Sequence, residues 1–140
     1  MAEWSSAENA QAEPLIYHSE HSFANKLTRA LWSLVWLVFF RVTPRPFSAW
    51  RRCVLRLFGA RIGNGATIAP SATIWAPWNL IMEEHASLAD GVVCFNVDKV
   101  HLGPSAIVSQ YSILCTASHD IRYLHAPLVK KPITLKERAW

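Results

Sequence analysis

Between Lys26 and Met82 the sequence has no aspartate or glutamate, and its first 25 residues have no lysine or arginine. The acid-free stretch carries Lys26, Arg29, Arg41, Arg45, Arg51, Arg52, Arg56 and Arg61, so the net charge of +4 hides a one-sided block. Such a block favours an anionic neighbour: lipid headgroups, a phosphate-bearing substrate or a nucleic acid. No recognition helix, aromatic RNA-binding sheet motif or zinc module accompanies the arginines, so nucleic acid is not the expected partner. Cysteine is scarce: Cys53, Cys94 and Cys115 are widely spaced and make no CxxC pair. This argues for reduced thiols in a cytoplasmic compartment and against a zinc module. Long apolar runs are also missing. Ala30 to Phe40 falls short of the roughly 18–20 apolar residues that a bilayer span needs. No basic residue precedes an apolar run at the N-terminus, so a secretory signal is not expected there.

Residues 1–21 are polar, aperiodic and contain Pro14, the composition of a mobile tail. A helical segment is expected over 22–60. Ser22 is a candidate cap for a helix over Phe23–Arg41 whose core, LWSLVWLVFF, is apolar nearly all round. Two readings stay open for it. Trp32 and Trp36 with flanking Arg29 and Arg41 suit a helix lying at a membrane interface, peripheral to the inner face. The same helix could instead pack on the rest of the protein or on a neighbouring subunit. Thr43-Pro44-Arg45-Pro46 ends it, because proline lacks the amide donor and restricts the residue before it. Ser48 then caps a second helix whose apolar face is Trp50, Cys53, Val54 and Leu57, with Gly59 as its C′ residue.

From Arg61 the periodicity changes. An aliphatic slot recurs every six positions at Ile62, Ile68 and Ile74, then at Met82, Leu88 and Cys94, then at Leu102, Val108 and Leu114. Four places after each slot stands a mostly small residue: Ala66, Ala72, Ala86, Val92, Ala106, Ser112 and Ser118, interrupted by Trp78 and Asp98. The second and third sets are each offset by a two-residue insertion, which should stack as a ridge at Leu80-Ile81 and Val100-His101. Two matched columns on a fixed period define a repeat architecture, and short β pieces between Gly, Pro, Asn and Asp define its strands. The expected β-helix domain spans 61–140, with three coils. A projecting loop over 120–134 should precede an incomplete fourth coil opened by Leu135. A solenoid needs a cap on its terminal coil, so further coils or another chain are expected to cover it.

Asn25-Lys26…Arg29…Trp32, Arg51-Arg52…Leu55-Arg56…Phe58-Gly59-Ala60-Arg61-Ile62-Gly63 and Cys115-Thr116-Ala117-Ser118-His119-Asp120 together resemble the hexapeptide-repeat acyltransferases. The likeness is nearest to the colanic-acid-biosynthesis acetyltransferases and covers about Ser22 to Trp140. It implies a left-handed parallel β-helix of triangular section, a homotrimer with active sites between subunits, and acetyl-CoA as co-substrate. The acceptor would be a sugar hydroxyl in an exopolysaccharide or its lipid-linked precursor. It also implies that His119 is the general base, a role suited to a side chain whose reference pKa is about 6.5. Two features set this sequence apart: Lys136 stands where the repeat usually has glycine, and the coils that carry much of the coenzyme surface would follow Trp140. The alternative reading is a non-catalytic β-helix that serves as an assembly or membrane-docking module.

Around His119 the other candidates divide. Asp120 would orient the imidazole or hold the acceptor, or else only start a turn. Asn96, one coil earlier, would bind a sugar hydroxyl or else serve a turn. Trp75 and Trp78 would stack on a sugar ring or pack between coils. Cys115 has no activating partner in the sequence and is not expected to be a nucleophile. The spacing of His101, His119 and His125 does not fit a three-histidine zinc site, so no metal is expected.

Overall fold

The computed structural model describes residues 23–140. The tail and the proposed cap Ser22 lie outside them. Helix α1 (Phe23–Val35) runs into a π-helical turn (Trp36–Phe40) closed by Arg41 N–H donating to Trp36 C=O at 2.8 Å. The wider turn brings Phe40, fully buried, edge-on to Trp32 with ring centroids 6.0 Å apart. Helix α2 (Ser48–Leu57) follows the proline-bearing turn. Ser48 is its first residue rather than its cap; Phe47 holds the cap position with no side-chain bond to the backbone. The C-terminal end of α2 follows the expected glycine pattern. Gly59 has φ +88, its N–H reaches Arg56 C=O at 3.0 Å, and the Ala60 N–H reaches Leu55 C=O at 3.0 Å.

Of the expected apolar face of α2, Val54 alone faces the core. Trp50, Cys53 and Leu57 are exposed, and the buried residues are Arg51, Val54 and Leu55. The physical reason lies in the first coil of strands, whose carbonyls have no preceding coil to accept from. Arg51 Nε donates to Ile68 C=O at 2.7 Å, Arg52 Nη1 to Ala66 C=O at 2.9 Å, and Arg56 Nε to Ile62 C=O at 3.0 Å. From α1 and its π turn, Trp32 Nε1 donates to Ile74 C=O at 2.6 Å and Trp36 Nε1 to Ala72 C=O at 2.9 Å. Buried carbonyls left unpaired are costly. Arginine's five donors suit a helix that must close such an edge. These arginines and tryptophans therefore serve the end of the solenoid, which settles how one face of α1 is used.

Twelve short strands follow: β1 (Arg61–Ile62), β2 (Thr67–Ile68), β3 (Thr73–Ile74), β4 (Leu80–Met82), β5 (Ser87–Leu88), β6 (Val93–Phe95), β7 (Val100–Leu102), β8 (Ile107–Val108), β9 (Ile113–Cys115), β10 (Ala117–His119), β11 (Leu128–Lys130) and β12 (Ile133–Leu135). From β1 to β9 consecutive strands go to different sheets, and β10 pairs with β11. The parallel sheets are β1-β4-β7-β12, β2-β5-β8 and β3-β6-β9, an arrangement compatible with a parallel β-helix. Register follows the aliphatic slots of the sequence: Ile62 over Met82, Leu102 and Leu135; Ile68 over Leu88 and Val108; Ile74 over Cys94 and Leu114. Most of these slots, Ile62 through Val108, are buried. Each fully buried Ile or Leu contributes about 1.5–3 kcal/mol. Ala66, Ala72, Ala86, Val92 and Ala106, the small column, are fully buried as well.

The two-residue offset lies at one corner, after β3 and again after β6, where residues 75–79 and 96–99 intervene. Leu80 and Val100 are core residues rather than a ridge; they pair with each other, as do Ile81 and His101. In the third coil the same corner carries the hairpin β10–β11. The expected loop over 120–134 is thus the turn and second strand of that hairpin, and the fourth coil begins at Ile133, two residues before Leu135. A left-handed residue recurs in register at another corner: Gly65, His85, Ser105 and Arg138 have φ between 55 and 70. The non-glycine members are tolerated there at a modest cost.

Candidate active site

His119 ends β10, paired with Leu128 of β11. Its Nδ1 lies 2.6 Å from the Ala126 carbonyl oxygen. A carbonyl only accepts, so Nδ1 carries a proton, and in the neutral ring the lone pair then falls on Nε2. The imidazole is exposed at a cleft of about 440 Å³ lined by residues that include Thr116, Ser118, Asp120, Arg122, Lys131 and Pro132. A larger hollow, about 630 Å³, lies between Arg56 of α2 and the β1–β4 edge. Its titratable residues are Arg56, Arg61, Glu83 and Glu84, without a histidine, so it is the less suited to proton abstraction from a hydroxyl.

Asp120 does not orient His119. Its carboxylate accepts from Arg122 Nε at 2.9 Å, from Nη2 at 2.6 Å and from the Arg122 backbone N–H at 3.1 Å. The Arg122 guanidinium holds the Asp120 carboxyl below its ordinary range. Asp120 therefore starts the hairpin turn, and the backbone of that turn supplies the orienting carbonyl.

Asn96 is fully buried. Its Oδ1 accepts from Ala76 N–H at 3.0 Å and its Nδ2 donates to Ala76 C=O at 2.6 Å. The side chain stands in for a backbone pair where the corner breaks the ladder, so the expectation that it binds a sugar hydroxyl is replaced by a structural role. Stacking does bring it under the site. Asn79 Nδ2 donates to Asn96 C=O at 3.1 Å and to Val97 C=O at 2.9 Å. One coil on, the Asp98 N–H donates to Thr116 Oγ1 at 2.8 Å, and Lys131 N–H closes the hairpin root on Thr116 C=O at 2.9 Å. This ladder fixes the hairpin to the coils below. Sequence reading missed Asn79, Thr116 and Ala126; their one visible signal was the break of the small column at Trp78 and Asp98.

The remaining candidates serve packing or lie apart. Trp75 stacks on Phe95 of the next coil at 5.7 Å, with the Arg29 guanidinium 4.4 Å from its ring, and Trp78 is half-buried against Gly59. The Cys115 thiol lies in the cleft and donates to Ala117 C=O at 3.2 Å. Cys94 is buried, which pushes its thiol up to about 12. His101 bonds Glu83 at 2.6 Å and His125 packs on Tyr123, and among the described residues no group of metal-ligating side chains is assembled.

The strands stack in parallel sheets, and a corner hairpin holds His119 at their edge. No family model matches the chain. It is 35% identical over 116 residues to the "Putative colanic acid biosynthesis acetyltransferase WcaF" of Escherichia coli (strain K12), and equally to that of Shigella flexneri. The match takes in 83% of this chain and 64% of each relative, so the chain spans a little under two thirds of their length. The chain is a homologue of these proteins, named as acetyltransferases of polysaccharide synthesis.

Proposed function

We propose that the chain is an O-acetyltransferase that moves an acetyl group from acetyl-CoA to a sugar hydroxyl of an exopolysaccharide of the colanic-acid type, or of its lipid-linked precursor. The supporting observation is the His119 imidazole, which donates from Nδ1 to Ala126 C=O on a residue that lines the cleft. His119 Nε2 takes the hydroxyl proton as the sugar oxygen attacks the thioester carbonyl. The tetrahedral intermediate collapses, the carbon–sulfur bond breaks, and the imidazolium returns the proton to the departing CoA thiolate. The oxyanion needs a donor. Lys131 at the cleft is a cation suited to a phosphate of the coenzyme. The hexapeptide-repeat solenoid would be left-handed and trimeric, with the cleft completed by a neighbouring subunit. Exposed Ile113, Ile121 and Leu124 on and beside the hairpin favour such a contact. The enzyme would work in the cytoplasm, where acetyl-CoA is made.

The test is CoA release from acetyl-CoA in the presence of acceptor sugars, followed by chromatography because exposed Cys53 and Cys115 would consume a thiol dye. Wild type should release CoA and His119→Ala should stay at background. Equal rates for the two would sink the catalytic reading. The second reading is a non-catalytic assembly or docking module, supported by the apolar residues that α1 leaves exposed. Calorimetry separates the two: a clear acetyl-CoA binding signal from this chain counts against the module.

A further inference from the structure

Helix α1 has two apolar faces, and the solenoid uses one. Trp32 and Phe40 are buried against the first coil. On the other side Leu27, Leu31, Leu34 and Val38 follow one another at i, i+4, i+7 and i+11, which is a single helical stripe. Phe39 and Val42 extend it, and all six are 46–70% exposed. Large contiguous apolar surface of this kind marks an interaction site.

Charge identifies the occupant. Exposed Lys26 and Arg41 stand at the two ends of the stripe, and no carboxylate occurs in the chain from Lys26 to Met82. Arg51, Arg52 and Arg56, behind the helix, bond neutral carbonyls and so leave their charge uncompensated by those contacts. Among the described residues Arg45 has a carboxylate partner, Asp90. An apolar stripe within a basic field matches the two layers of an anionic bilayer surface, acyl chains below phosphate headgroups. A second copy of this chain would bring the same positive field against itself. No helix among the described residues is long and apolar enough to cross a membrane, so α1 would lie in the interface plane.

We infer that the outer face of α1 docks the protein on an anionic bilayer, with Leu31 and Leu34 inserted at the acyl boundary and Lys26 and Arg41 at the headgroups. This does not depend on acetyl transfer. The full chain is sedimented with vesicles of phosphatidylcholine alone and of phosphatidylcholine mixed with phosphatidylglycerol. Binding should require phosphatidylglycerol, weaken with salt, and fall about tenfold or more in Leu31→Glu/Leu34→Glu. Both side chains are exposed, and circular dichroism checks that the fold persists. Lys26→Ala/Arg41→Ala, which leaves the stripe intact, should also weaken binding to the mixed vesicles. Absence of wild-type binding, or binding unchanged in both variants, overturns the proposal. So does a fall in particle mass by light scattering in Leu31→Glu/Leu34→Glu without vesicle binding by wild type, which would assign the face to a second copy.

Discussion

Replacing Arg51 by alanine removes the most heavily used side chain in the cap. The residue is 1% exposed, and besides Ile68 C=O its guanidinium donates to Thr43 Oγ1 at 2.8 Å, Pro44 C=O at 2.8 Å and Arg45 C=O at 2.6 Å. Burial lowers its pKa from the ordinary value, yet an arginine has far to fall before it loses its proton near neutrality. A hydrogen bond to a charged donor contributes roughly 1.5–3 kcal/mol. Water entering the vacated space can reach the carbonyls of the exposed residues Pro44 and Arg45, while Ile68 is buried. The expected loss is therefore about 3–5 kcal/mol, well below the sum of the separate bonds. Arg52→Ala, which gives up a single bond from a half-buried side chain, should cost about 1 kcal/mol. Arg51→Lys keeps the charge but not the fork, and should recover less than half of the loss. Urea unfolding followed by circular dichroism measures all three. If Arg51→Ala falls within about 1 kcal/mol of wild type, or matches Arg52→Ala, the account of the cap is refuted.

Four further outcomes follow from the same geometry. Asn96→Ala should destabilise the chain by about 1–3 kcal/mol, since both Ala76 backbone groups lose their partner; an unchanged denaturation midpoint would contradict that. Gly63→Ala should unfold more readily, because the added Cβ would stand 2.7 Å from the Glu83 carbonyl carbon; a neutral result in the same assay would show that the coils can part. Cys53 and Cys115 should react with a thiol reagent in the native protein, and Cys94 only after unfolding, its pKa of about 12 keeping it a thiol; mass spectrometry of the labelled chain distinguishes them. Finally, Asp120 has a lowered folded pKa, so its contact with Arg122 stabilises the hairpin turn above the unfolded carboxylate value of about 3.9 and is lost as pH falls through the lower folded value. Amide exchange at Arg122 should accelerate across that acid window in wild type and show no such step in Asp120→Asn.

The coil register was legible because it is written locally: each buried slot recurs at a fixed spacing, and a shift by one residue would turn it outward. That is why Ile62, Met82 and Leu102 could be aligned before any pairing was known. The face of α2 was not legible in the same way. A hydrophobic count prefers Trp50 and Leu57 to Arg51, since nothing in the helix itself announces the carbonyls of Ile62, Ala66 and Ile68 waiting beneath it. His119 could be marked as a base from its motif, but its orienting group could not. The partner is a main-chain carbonyl at Ala126, and a backbone atom leaves no trace in residue type. Asp120, the visible acid next door, drew that role for want of the turn geometry.

The three corners of the solenoid differ in how much change they can absorb. Two turn in a few residues with a left-handed or small residue at a fixed place, so an insertion there would throw every later strand out of step. The remaining corner holds residues 75–79, then 96–99, then 116–132, and β12 still rejoins β7 in register after the longest of them. Strand stacking is thus indifferent to what leaves and returns at that edge, provided that the root on Thr116 is kept. A hairpin bearing a different side chain in place of His119 could be exchanged there without re-solving the core, which makes this edge the place where one scaffold can acquire new chemistry.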